Sequence, residues 1–269
     1  MNTRVTLDQA LTEHPSNGFA VVDFKHVNKF FQVNAAPVEI IHDFNLQIYE
    51  GEFIAIVGSS GCGKSTLLRL LTGLDADFQG QILIDGVAVQ GLSKDRSVVF
   101  QEPRLFPWLT VEQNIALGLI NADLTELEKQ KRIAETIQLI HLNGFERSYP
   151  HQLSGGMAQR VAIARSLVSQ PRLFLLDEPF GALDALPRHH MQNELLKIHA
   201  EQKITTIFIT HDVEEAVTLA DRVVILKPKP GRIEEVIQVS LPRPRNRLSF
   251  ELHQLKEHVF QVLTEYKIQ

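Results

Sequence analysis

The sequence predicts an α/β fold built on a largely parallel, mixed sheet, and three features carry that expectation. Residues 52–57, 173–176, 206–209 and 222–226 are short continuous apolar runs, the pattern of strands buried on both faces. Helices separate these runs, as the crossovers of a parallel sheet require. The first run ends in a glycine-rich turn that leads into a helical pattern at 67–74, stopping near Gly73.

The remaining elements follow in chain order. Residues 1–18 read as a weakly ordered tail. Residues 19–24 and 38–49 are rich in Val, Ile and Phe and read as strands. Residues 81–84 and 233–239 read as edge or antiparallel strands. Between Gln101 and Gln170 strand signals nearly vanish. Residues 124–142 are polar-rich, with Leu127, Ile133, Ile137 and Ile140 at helical spacing, and 155–168 read as a second helix. The block from about 102 to 170 therefore reads as a helical subdomain inserted into a sheet domain spanning 19–239. Residues 240–269 follow as a Pro/Arg turn and a helix. Arg243, Arg245 and Arg247 are expected to be solvated. Leu252, Leu255, Val259, Val262, Leu263 and Tyr266 form the apolar stripe of the helix.

Composition narrows the class. The chain has 269 residues, 44% apolar and 22% charged, with a formal net charge of −5, so nothing in the balance suggests a nucleic-acid partner. It has no apolar run of about 18 residues for a membrane span, and residues 1–17 lack the apolar middle of a secretory signal. The single cysteine, Cys62, cannot form an internal disulfide and fits a reducing compartment. A membrane role would have to come through a partner.

Gly58, Ser59, Ser60, Gly61, Cys62, Gly63, Lys64, Ser65 and Thr66 fit the pattern G-x-x-x-x-G-K-[ST] between a strand and a helix. Such a loop points backbone N–H groups at a β-phosphate, and the helix it opens adds its positive end. Lys64 would neutralise β- and γ-phosphate charge, and Ser65 would hold Mg²⁺. The loop alone leaves kinases, GTPases, helicases and transporters open. Four apolar residues followed by Asp177 and Glu178 place a carboxylate at the end of a buried strand. Asp177 suits a Mg²⁺ ligand and Glu178 the base that orients water, a pairing made for hydrolysis.

The segment Leu153-Ser154-Gly155-Gly156-Met157-Ala158-Gln159-Arg160 resembles the signature of ABC transporter ATPases, whose usual core is LSGGQ. Gln101 resembles the family's Q-loop glutamine, Ala182-Leu183-Asp184 its D-loop, and His211 its switch histidine. Phe31, two residues after Lys29, matches the aromatic that stacks on adenine, with Phe30 as the competing neighbour. The resemblance covers about 19–239. It implies the P-loop NTPase (RecA-like) α/β fold: a mixed sheet core, an antiparallel β subdomain and an inserted α-helical signature subdomain.

The resemblance also implies an ATPase that uses ATP and Mg²⁺ and works as a head-to-tail homodimer. In that arrangement Ser154, Gly155 and Gly156 receive the γ-phosphate of ATP held by the opposite subunit. Glu178 would polarise water, His211 would bridge the γ-phosphate and Glu178, and Gln101 would contact Mg²⁺ or the water. Asp184 would bridge the subunits. Residues 101–115, with the chain's only Trp at Trp108, match the groove that receives a channel subunit; by residue type alone Trp108 suits a core equally well. The same stretch, the LSGGM variant and residues 180–186 and 210–216 resemble the nitrate/sulfonate/taurine class of importers.

The implied assembly holds two transmembrane permease subunits and an extracytoplasmic solute-binding protein, with this chain peripheral on the cytoplasmic face of the inner membrane. Aliphatic sulfonates are the favoured cargo, then taurine, nitrate or bicarbonate. The tail is too short for the regulatory barrel of sugar-importer ATPases. A non-transport ABC ATPase of the DNA-repair kind would need a long coiled coil between Gln101 and Ser154, where too few residues lie. A translation factor would carry a second such domain, and a small-molecule kinase would have no use for Leu153 to Met157.

Overall fold

A computed structural model describes residues 20–34, 36–181 and 183–264. The chain opens with a long hairpin, β1 (Ala20–Val33) and β2 (Ala36–Tyr49). The first strand runs well past the alternation visible at 19–24. Its continuation is hidden in the sequence because His26 takes a left-handed φ of 49° and the pairing shifts register between Phe24 and Val27. β3 (Phe53–Gly58) follows, then α1 (Lys64–Thr72), which ends on Gly73 as expected. β4 (Gln79–Ile84) and β5 (Val87–Ala88) join the hairpin in an antiparallel sheet of order β2-β1-β4-β5.

β6 (Arg96–Val99) precedes the helical block. The block contains α2 (Val111–Ala116), a 3-10 turn at Leu117–Leu119, α3 (Glu126–Leu139) and α4 (Gly155–Leu167). Capping boxes at Thr110/Gln113 and Thr125/Glu128 set the starts of α2 and α3. Leu127, placed on the apolar stripe by its spacing, is instead 77% exposed. It lies in the first turn of α3, before the helix reaches its packing partners. Ile133, Ile137 and Ile140 do turn inward and pack with Val111, Ile115, Val161 and Ala164 into a core belonging to the helical block.

β7 (Leu173–Asp177), α5 (Ala185–Gln202), β8 (Thr205–Thr210), α6 (Val213–Leu219), β9 (Arg222–Lys227) and β10 (Arg232–Gln238) complete the second sheet. Its order is β10-β9-β3-β8-β7-β6, parallel except for the edge strand β10 against β9. The continuous apolar runs are explained by its two covered faces. Phe53, Ala55 and Val57 point to one core with residues of α5 and α6. Ile54 and Ile56 point to the other, with Leu67, Leu70 and Leu71 of α1 and the antiparallel sheet. Each fully buried Ile, Leu or Phe contributes roughly 1.5–3 kcal/mol to these layers.

α7 (Phe250–Thr264) packs back with Leu252 and Val259 buried. Tyr266, the last residue of the expected stripe, lies outside the described residues, as does the tail at 1–18. The basic turn before α7 overturns the expectation of solvated arginines. Arg245 is 9% exposed and donates to the carbonyls of Val217, Thr218, Ala220, Val239 and Leu241. These include the last carbonyls of α6, which lack intrahelical partners. Burial pulls the Arg245 guanidinium down to about 10. Arg243 pairs with Asp221 at 2.8 Å, and Arg247 donates to Gln192 Oε1 at 2.6 Å. The arginines of this turn are thus held by backbone carbonyls and by side chains of the domain.

Among the described residues, no helix is long and apolar enough to cross a membrane.

Candidate functional site

The glycine-rich loop hangs from the carboxyl end of β3, the central position of the sheet, and opens α1. Gly63 takes φ +93°, and a side chain there would meet Ile41 Cδ1 at 2.3 Å, so only glycine fits. The N–H groups of Ser60, Gly61 and Gly63 donate to no acceptor among the described residues. Together with the first turn of α1 they form an anion cradle. Lys64 is 7% exposed, and its ammonium donates to Gly58 O at 2.8 Å and Ser59 O at 3.1 Å, arching over the loop. Cys62 is buried and its Sγ lies 3.9 Å from Lys64 Nζ; burial pushes its thiol up, away from reactivity.

Asp177 ends β7, and Ser65 Oγ donates to its Oδ1 at 3.4 Å, so the hydroxyl and the carboxylate face each other. Burial raises the Asp177 carboxyl above its ordinary value, partly offset by the Ser65 hydrogen bond. No cluster of three or more His, Cys, Asp or Glu side chains suited to a metal occurs among the described residues. A Mg²⁺ ion fits the Ser65–Asp177 pair nonetheless, because this ion is commonly bound by one or two protein oxygens plus substrate phosphates and water.

Glu178 follows with a left-handed φ of 47°, a conformation that costs a non-glycine residue roughly 1–2 kcal/mol. Its N–H still bonds Ile209 O at 2.9 Å, so the turn is anchored on β8. The Glu178 carboxylate accepts from His211 Nδ1 at 3.0 Å. Gln101, at the end of β6, packs so closely on Gly181 that a side chain there would lie 2.8 Å from its amide nitrogen. Lys64, Ser65, Asp177, Glu178, His211 and Gln101 thus come from loops at the carboxyl ends of β3, β6, β7 and β8, where ligands of parallel sheets bind.

Phe30 and Phe31 are both exposed on β1, where the pairing shifts register just after Lys29, which stands opposite Ile41. The Lys29 ammonium lies 4.9 Å from the Phe31 ring centroid. Phe30 pairs with Glu39 and Phe31 with Val38.

Ser154 caps α4, accepting from Met157 N at 3.2 Å, and Gly155 and Gly156 form the exposed first turn. This helix tip opens on a cleft of about 390 Å³ shared with Leu183, Asp184 and Pro187. Lys64 does not line that cleft. Ala182 lies outside the described residues.

The segment after Gln101 presents Trp108 at 68% exposure beside Phe106, ring centroids 5.4 Å apart. That settles Trp108 as a surface residue. Asn114, fully buried, holds the loop by accepting from Phe106 N and donating to the carbonyls of Phe106, Leu109 and Thr110.

Sequence reasoning assigns no role to several residues that organise this site. Gln159 on α4 is 2% exposed and donates to Phe100 O at 3.1 Å, next to Gln101. Arg165 donates to Pro103 O and Arg104 O, binding the same segment to α4. Their carbonyl acceptors leave no trace in the sequence.

Residues 41–181 match the family model described as ABC transporter. The chain is 47% identical over 242 residues to the aliphatic sulfonates import ATP-binding protein SsuB of Bacillus cereus, covering 89% of this chain and 94% of that protein. It is 46% identical over 236 residues to the bicarbonate transport ATP-binding protein CmpC of Synechococcus elongatus, covering 86% of this chain and 36% of that one. Among solved structures it resembles the dimeric post-hydrolysis state of the ATP-binding cassette MJ0796 bound to ADP and Pi. That match has a TM-score of 0.72 and 33% identity, over 82% of this chain and 100% of the other.

Proposed function

The chain belongs to the ABC transporter family and is an ATPase of that type; on that premise we propose that it is the ATP-hydrolysing subunit of an importer whose cargo is an aliphatic sulfonate. The observation that carries the reading of the site is the convergence of Lys64, Asp177, Glu178 and His211 at the carboxyl edge of one sheet. The cargo reading is supported by the 47% identity to a sulfonate-import subunit over most of both chains.

The proposed work of each residue follows from its place. Lys64 exchanges its carbonyl acceptors at Gly58 and Ser59 for phosphate oxygens, a charge-assisted bond in place of neutral ones. The free amides of Ser60, Gly61 and Gly63 donate to the same phosphates, and Phe31 offers its ring to adenine. Ser65 and Asp177 would hold Mg²⁺, and Gln101 would contact the ion or the attacking water. The ion, when bound, neutralises the charge that develops between the β- and γ-phosphates. Glu178 accepts the proton of the attacking water, and His211 orients Glu178. Ser154, Gly155 and Gly156 cap the γ-phosphate held by a second copy of the chain, and Asp184, in the same cleft, meets that copy. A dimeric structural neighbour bound to ADP and Pi supports the pairing of two copies.

In this proposal residues 19–239 are the ATPase domain and 240–269 the C-terminal Pro/Arg turn and helix, whose described part, α7, packs on α6. The aromatic pair Phe106 and Trp108 is the contact for two permease subunits, which receive cargo from an extracytoplasmic solute-binding protein. The chain then sits peripherally at the cytoplasmic face of the membrane. A second reading, bicarbonate as cargo, is supported by the 46% identity to the bicarbonate transport protein.

The test is growth of a deletion strain on single nutrients, with complementation by the Glu178→Gln chain as control. Loss of growth on alkanesulfonates alone, restored by the wild-type but not the variant gene, is the expected result. Normal growth on sulfonates with a defect on bicarbonate-limited or nitrate medium would overturn the cargo assignment.

A further inference from the structure

We propose that Arg188 is a positioning residue for hydrolysis, tying the D-loop carbonyl of Leu183 to the turn between β8 and α6 that carries His211. Arg188 stands one turn into α5, its N–H bonded to Asp184 O at 2.9 Å. Its guanidinium donates through Nη2 to Leu183 O at 2.9 Å and through Nη1 to Asp212 Oδ2 at 3.4 Å. Asp212 is the next residue after His211, and its other carboxylate oxygen accepts from Glu214 N and Glu215 N as the cap of α6. One planar fork therefore spans the segment bearing Asp184 and the segment bearing His211.

Two further observations separate this contact from an ordinary surface ion pair. The Arg188 Nε is buried and has no hydrogen-bond partner, while Glu215 Oε1 stands 4.0 Å away. A buried donor left short of its acceptor is costly unless the geometry serves another purpose. Here a small shift of the D-loop carbonyl would swing the fork onto Glu215. Glu215 is itself fixed: its Oε2 accepts from Thr210 Oγ1 at 2.7 Å, and its Oε1 accepts from Gln192 Nε2 at 3.1 Å. Thr210, on the other side of His211, also accepts from Asp212 N. The backbone on either side of His211 is thus held, on the Asp212 side by Arg188 directly and on the Thr210 side through Glu215, while the histidine ring bonds Glu178. Only an arginine has the fixed fork to bond both acceptors at once.

The inference rests on the role proposed for His211, so the experiment is a double-mutant cycle in the full-length chain, read by single-turnover ATP hydrolysis and by ATP affinity. Arg188→Gln is expected to slow hydrolysis about tenfold with ATP affinity within about twofold of wild type. In the His211→Ala background the same substitution is expected to cost less than about twofold. Arg188→Lys, which keeps the charge and loses the fork, is expected to remain close to Arg188→Gln. Equal losses in both backgrounds would overturn the inference and leave the role of His211 standing. Wild-type hydrolysis by Arg188→Gln would overturn it as well. If His211→Ala alone hydrolyses normally, the histidine's role fails, and the inference with it.

Discussion

Glu178 and His211, 33 residues apart, meet at 3.0 Å because β7 and β8 are adjacent parallel strands that end at the same edge. Asp177 pairs with Ile209 in the ladder, so the residues just beyond each strand are brought side by side. The pairing register, a property of backbone hydrogen bonds, thereby fixes the distance between Glu178, the proposed base, and His211, proposed to orient it. Lys64 and Ser65 enter the same edge from β3, the neighbour of β8.

Glu178→Gln keeps the size of the side chain and its contact with His211 but removes the proton acceptor. Turnover is expected to fall by about 100-fold or more, the range typical of losing general-base catalysis. ATP binding and ATP-dependent dimers should persist. Steady-state hydrolysis and light scattering on the same sample check both, and normal turnover would remove Glu178 from the mechanism.

Lys64→Ala removes a buried ammonium that holds the phosphate loop and faces its mouth. ATP affinity is expected to drop about tenfold or more, the loss of a charge-assisted bond to phosphate. Calorimetric titration gives the answer directly; unchanged affinity would mean that phosphate is bound elsewhere.

Trp108→Ala tests the docking surface. Trp108 and Phe106 stand exposed on a loop that Asn114 has already ordered, so binding should cost little reorganisation. The variant should hydrolyse ATP normally as an isolated chain yet bind its membrane partner more weakly by about 2 kcal/mol, the scale of an aromatic hot spot. Co-purification from membranes expressing the neighbouring permease measures the difference.

Arg245→Ala would strip the cap from the last carbonyls of α6 and from Val239 and Leu241. Leaving buried acceptors unpaired is expected to destabilise the fold by about 2–4 kcal/mol, seen as a lower midpoint in urea. A midpoint equal to wild type would return this arginine to the surface role its composition suggests.

How legible all this is from sequence depends on whether a residue acts through its local pattern or through a distant backbone. The apolar runs of β3, β7, β8 and β9 and the loop ending in Lys64 are local signals, and they describe the sheet and the cradle well. The second half of β1 is not legible, because the bulge at His26 breaks the alternation that marks a strand. Leu127 misleads for the opposite reason: its spacing fits the stripe, but the stripe has no partner at that end of α3. Gln159, Arg165 and Arg245 all act on carbonyls, which every residue possesses, so no residue type at the other end announces the contact.

His199 offers a test of the fold through pH. It is 7% exposed on α5, its ring set 5.2 Å from Phe53 of β3 and its Nδ1 3.4 Å from Thr206 Oγ1 of β8. Burial holds its pKa below the ordinary histidine value of 6.5, and the nearby Arg243 charge lowers it further, against a weaker opposing pull from Asp221. The native chain therefore refuses a proton that the unfolded chain accepts. Its contribution to stability is complete above about pH 6.5 and is lost as the pH falls toward the depressed native value. The wild-type melting temperature should accordingly drop more between pH 7.5 and 5.5 than that of His199→Gln, by at least about 2 °C. Parallel melting curves across that interval would show that His199 titrates alike in both states and is not buried against Phe53 in solution.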